Sequence, residues 1–123
     1  MPSPARAATP PKLSKAKGCA VGDLLRLLGE THVLNILYLF LEEPGPRRFV
    51  DVQRELKMSP NTLSDRLRQL VGAGLLTRTA FSEIPPRVEY EATAKAMGFK
   101  QVFRTLDEWA RHNTLEPAVP AAP

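Results

Sequence analysis

Ser59-Pro60-Asn61-Thr62-Leu63-Ser64-Asp65-Arg66-Leu67-Arg68-Gln69-Leu70-Val71-Gly72-Ala73-Gly74-Leu75-Leu76 is the stretch that decides the fold of this 123-residue chain. Ser59 is a good N-cap, and Pro60 falls at the first helical position, where a missing N–H costs nothing. Leu63, Leu67 and Leu70 recur at i, i+4 and i+7 and make one apolar stripe. At about 100° per residue the opposite face carries Asn61, Asp65 and Arg68, flanked by Thr62, Ser64 and Gln69. Gly72 and Gly74 are expected to stop the helix, after which Leu75-Leu76 enter an extended segment.

A short capped helix with one buried stripe and a hydrogen-bonding outer face meets the needs of a major-groove reader. Asn bonds an adenine edge through two hydrogen bonds, Arg takes guanine or a phosphate, and Asp accepts from cytosine. Polar outer faces are common to surface helices, so the flanks have to decide. Upstream, Arg47-Arg48-Phe49 reads as a short strand leading into a helix from Val50 to Leu56, with Lys57-Met58 as a tight turn. Two short helices across a tight turn, the second capped and polar-faced, form a helix-turn-helix. Downstream, Leu75 to Phe81 and Arg87 to Ala92 are β-prone runs joined by Ser82-Glu83-Ile84-Pro85-Pro86. Proline there removes ladder donors and shapes a protruding loop. Such a hairpin is a wing, and it places Arg78 and Arg87 to reach phosphates or a minor groove.

The remaining segments build the frame. Ala20 to Leu28 reads as a short helix, and Thr31 is expected to cap a second one running to Glu43. That second helix is apolar nearly all round, which makes it the central buried element. Pro44-Gly45-Pro46 ends it. Thr93 is expected to cap one long final helix with Phe99, Val102, Phe103, Leu106, Trp109 and Ala110 on a stripe. A domain of this size has little core left for so wide a stripe. Together with Leu24 of the first helix, Phe99, Val102, Phe103, Leu106 and Trp109 are therefore expected to form a homodimer interface. The alternative is that the stripe folds back over its own domain. The fold class is mainly α with a small β-hairpin (α+β), a winged helix-turn-helix.

Charge is uneven along the chain. The net charge is +4, from 17 Lys and Arg against 13 Asp and Glu, and Arg6, Lys12, Lys15 and Lys17 supply the whole excess. Residues 1–18 are expected to be a disordered basic arm, 19–113 the domain, and 114–123 a Pro- and Ala-rich disordered tail. The arm either adds phosphate contacts or is a solvated tail. The first residues lack a signal-peptide core, and the longest apolar run, Val33 to Leu41, is too short to span a bilayer. No membrane partner is expected, and a cytoplasmic, nucleoid-associated protein is.

Arg47-Arg48-Phe49, the run from Ser59 to Leu70, Gly74-Leu75-Leu76-Thr77-Arg78 and Pro85-Pro86-Arg87-Val88-Glu89-Tyr90 resemble HxlR-type winged helix-turn-helix regulators. The resemblance runs from about Cys19 to Trp109, and the Pro-Pro-Arg-Val-Glu-Tyr wing is its specific part. It implies a homodimer joined through its terminal helices that binds a near-palindromic double-stranded DNA operator as a transcriptional regulator. It also implies that the reader helix, 59–72, enters the major groove, with Ser59, Pro60, Asn61, Thr62, Ser64, Asp65 and Arg68 as its contacts. The wing, 77–91, then meets the flanking backbone or minor groove, and Arg47, Arg48, Arg66, Arg78 and Arg87 are the expected backbone contacts. One departure is that family members commonly open the second helix with Gly-Lys-Trp, where this chain has Gly29-Glu30-Thr31-His32.

Other chemistry is thinly represented. Cys19 opens the first helix near Lys15 and Lys17, an environment that favours thiolate. It stands where many members of the resembling family carry a cysteine, in some a redox or electrophile sensor; the alternative is a small packing residue. His32 and His112 have no clustered ligands, so no metal is expected, and neither a phosphate loop nor a nucleophile–base pair suggests an enzyme or a cofactor. A rival reading is a winged-helix module for protein–protein assembly without sequence-specific DNA binding. Residues 44–90 hold eight Lys and Arg against five Asp and Glu, a modest excess, and Asp65 on the reading face would repel phosphates.

Overall fold

The most apolar segment does form the centre. The computed structural model describes residues 20–119. In it α1 (Ala20–Leu28) is followed by α2 (Val33–Glu42), of which Val33, Ile36, Leu37 and Phe40 are fully buried. The chain bends by 91° between these helices. Thr31 does not cap α2. His32 occupies the preceding position in the left-handed conformation with φ 73° and makes no side-chain cap. A backbone turn replaces the expected cap, because the Val33 N–H donates to the Glu30 carbonyl at 3.1 Å.

The helix-turn-helix follows: α3 (Phe49–Leu56), a left-handed Lys57 with φ 54°, and α4 (Pro60–Gly72). The Ser59 side chain accepts from the Thr62 N–H, with Pro60 in the first turn. Leu63, Leu67 and Leu70 are all 0% exposed and lie in one core with α2 and Val52. The helix ends at Gly72 with Ala73 as its C-cap, and the chain turns away at Gly74. Gly74, at φ 79°, supports a double closure in which Leu75 N–H reaches Leu70 O and Gly74 N–H reaches Val71 O, both at 3.0 Å.

Strands β1 (Arg47–Arg48), β2 (Leu76–Phe81) and β3 (Arg87–Ala92) form an antiparallel sheet in the order β1-β3-β2. The wing hairpin thus gains a third strand, with Arg47 opposite Tyr90 and Arg48 opposite Glu89.

The long final helix is two helices. Thr93 caps only the short α5 (Ala94–Met97), and α6 (Phe99–His112) follows a tightened turn in which Gly98 N–H donates to Lys95 O at 3.3 Å. Thr93 also donates its hydroxyl to Gly74 O at 2.7 Å, and Ala96 is fully buried. These contacts tie α5 to the end of α4 and set α6 on its own course. Among the described residues no single helix is long and apolar enough to cross a membrane.

Candidate nucleic-acid interface

The outer face of α4 carries an exposed Asn61, Ser64 and Arg68, with Asp65 half-buried between them. At its N-terminus the Ser59 hydroxyl donates to Thr62 Oγ1 at 3.0 Å and accepts from the Thr62 N–H at 3.3 Å, which holds the exposed Ser59 and Pro60 in place. With the leucine stripe locked in the core, α4 cannot rotate this face away.

Asp65 is not a lone negative charge. One carboxylate oxygen takes Arg66 Nη1 at 2.7 Å, and the other takes Arg68 Nη1 at 2.8 Å. Two guanidinium groups therefore offset the repulsion that a bare carboxylate would exert on phosphates.

Two of the arginines expected on the DNA backbone are turned inward. Arg66 donates from Nε to Thr31 O at 2.8 Å and lies 3.8 Å from Glu30, with its side chain 17% exposed. Its work is to fasten α4 to the α1–α2 turn. Arg47 donates to Leu39 O at 3.2 Å and to Glu43, lies 3.8 Å from Glu55, and sits over the Phe40 ring at 5.9 Å. It clasps the end of α2 to β1 and α3, and its buried Nε has no partner. Both side chains are largely covered by these partners.

Arg87 is more than half covered. Its guanidinium stacks over Phe81 at 4.0 Å and pairs with Glu83 at 2.9 Å and Glu89 at 3.6 Å, bracing the base of the wing tip. Beyond it Ile84, Pro85 and Pro86 are exposed. Arg48 and Arg78 are exposed and make no ion pair among the described residues. Directly opposed residues share a face of a sheet, so Arg48, opposite Glu89, and Arg78, opposite Tyr90, project from opposite faces.

The apolar stripe of α6 divides in two. Phe99 and Phe103 pack partly against the core, Phe103 edge-on to Tyr38 at 5.4 Å. Val102, Leu106 and Trp109 stay 44%, 52% and 54% exposed, and on α1 Leu25 is 44% exposed, with Leu24 half-buried. Cys19 and the basic arm lie outside the described residues.

Sequence reasoning missed Lys95, whose Nζ donates to Ala73 O at 3.0 Å and so closes the C-terminal end of the reader helix. It also placed Arg66 among the outward cations, although a helical wheel held the signal. Arg66 stands only about 65° from the centre of the leucine stripe, whereas Asn61, Asp65 and Arg68 stand about 130–170° away.

Comparison with known proteins agrees with this geometry. The HxlR-like helix-turn-helix family model matches residues 27–117. An uncharacterised HTH-type transcriptional regulator of Halalkalibacterium halodurans is 33% identical over 103 residues, covering 83% of this chain and 90% of that protein. One from Mycobacterium tuberculosis is 36% identical over 106 residues, covering 85% of this chain and 65% of its own length. Among solved structures, the reduced form of the transcriptional regulator YodB from Bacillus subtilis superposes with a TM-score of 0.69 at 26% identity, covering 82% of this chain and 98% of that one.

Proposed function

The chain belongs to the HxlR-like helix-turn-helix family of DNA-binding transcriptional regulators, and on that footing we propose how it meets its operator. The outer face of α4 enters the major groove, with Asn61 and Arg68 addressing base edges and Ser59, Thr62 and Ser64 contacting the sugar–phosphate margin. Arg48 and Arg78, exposed and free of carboxylates among the described residues, are the principal phosphate contacts of the sheet. Arg87 shapes the wing and adds to the flank contact by exchanging the exposed Glu83 for a phosphate. The observation that carries this reading is the pairing of a side-chain-capped helix, locked by three fully buried leucines, with a polar outer face.

The working unit is a homodimer joined through α1 and α6. The exposed Val102, Leu106 and Trp109 supply an apolar strip that one domain leaves uncovered. Two copies then address half-sites about one helical turn apart on a near-palindrome. A cytoplasmic location accompanies that role. YodB has been solved in reduced, quinone-bound and diamide-treated forms. By analogy, Cys19 is the thiol to test as a sensor here.

Salt-dependent gel shifts on operator fragments test the reading. Asn61→Ala and Arg68→Ala are each expected to lower discrimination at one operator position by about 1–3 kcal/mol. Unchanged affinity and specificity in both variants would remove α4 from the groove, leaving the protein–protein module as the better account.

A further inference from the structure

Taking the major-groove placement of α4 as its footing, we infer that Asp65 is a positioning residue that sets the pose of Arg68, rather than an acceptor that reads a base. Its surroundings form a continuous brace. Arg66 is held on the α1–α2 turn by the Thr31 carbonyl at 2.8 Å and by Glu30 at 3.8 Å. That anchored guanidinium takes one oxygen of Asp65 at 2.7 Å, and the other oxygen receives Arg68 at 2.8 Å. The order of support runs from the α1–α2 turn through Arg66 and Asp65 to Arg68.

The pair matters for recognition more than for folding. Arg68 is 71% exposed and Asp65 48%, so water screens their attraction and little stability resides there. A long arginine left to itself spreads over many rotamers and meets whichever phosphate is near. Docked on Asp65, its planar donors start from one place, and less freedom is lost when they meet a guanine edge. Expulsion of water from the groove then strengthens the same contact. Asp65 also cancels one positive charge on the face, which lowers attraction to unrelated DNA and raises the ratio of specific to non-specific binding.

The test compares parent, Asp65→Asn, Arg68→Ala and the double variant on an operator set with single base-pair changes and on an unrelated duplex. Arg68→Ala is expected to flatten the preference at one base pair by roughly 5- to 150-fold. Asp65→Asn, nearly identical in shape, should flatten that same preference by about fivefold or more while tightening binding to the unrelated duplex. The double variant should lose no more than Arg68→Ala alone. An intact preference in Asp65→Asn overturns the inference, as does loss at a different base pair, which would make Asp65 a direct reader. If neither Arg68→Ala nor Asn61→Ala alters any position, the placement of α4 itself has failed and the inference goes with it. A second reading needs no DNA. In the free parent protein, NMR of the Arg68 guanidinium should show hindered rotation that Asp65→Asn releases, and identical spectra would overturn the brace.

Discussion

Replacing Arg47 by alanine separates a clasp within the fold from a contact to DNA. The side chain is 16% exposed and spans three elements, with hydrogen bonds to Leu39 O at 3.2 Å and to Glu43 O and Oε1 at 3.4 Å. These bonds are long for a charged donor, so together they contribute at the low end of about 1.5–3 kcal/mol. Glu43 and Glu55 are 81% and 58% exposed at their side chains, and such partners add about 0–1 kcal/mol. The position over Phe40 at 5.9 Å lies at the outer limit of a cation–π contact and adds about 0.5 kcal/mol. Against this, the unpartnered Nε costs about 1 kcal/mol, which removal of the side chain recovers. The net expected loss is about 1–2 kcal/mol, or a fall in melting temperature on the order of 5–15 °C for a domain of this size. Thermal and urea melts at fixed protein concentration measure it, and Arg47→Lys should recover only part, because it keeps the charge and loses the fork. The salt dependence of operator binding should be that of the parent once the protein is folded. A variant that melts like the parent while its salt slope falls by about 1 would put Arg47 on a phosphate and refute the clasp.

Three further outcomes are expected. Arg78→Ala should weaken binding to all sequences and reduce the salt slope by about 1, whereas Arg87→Ala should reduce it less; the reverse order in filter-binding titrations would exchange their roles. Leu106→Glu with Trp109→Glu should convert the proposed dimer to folded monomer in sedimentation, since both side chains are about half exposed and absent from the core cluster; an unchanged dimer would move the interface elsewhere. If Cys19 senses, operator affinity of the parent should differ between reduced, diamide-treated and quinone-treated protein while Cys19→Ser stays level, and equal affinity in all six samples would leave Cys19 as a packing residue.

Signals confined to neighbouring residues were legible in the chain itself. The Ser59 cap, the Leu63-Leu67-Leu70 stripe, the apolar run of α2, the Pro44-Gly45-Pro46 stop and the two wing strands all express rules that operate within about four residues, and each determined its element. The polar face of the reader helix followed at once, because a helix that buries one stripe must present the opposite one. What only the tertiary structure decided is the employment of the charged side chains. Arg66 meets a carbonyl 35 residues earlier in the chain, and Lys95 closes the reader helix through a carbonyl 22 residues before it. The same holds for the break at Gly98 and the missing cap at Thr31, where docking of Thr93 on Gly74 and a backbone turn from Glu30 to Val33 overrode the local signals. An arginine's long stem reaches any partner within several ångströms, so its sequence neighbours do not specify which. Folding brought carbonyls and carboxylates to Arg47 and Arg66, left Arg48 and Arg78 to solvent, and thereby sorted the cations that hold the domain together from those available to DNA.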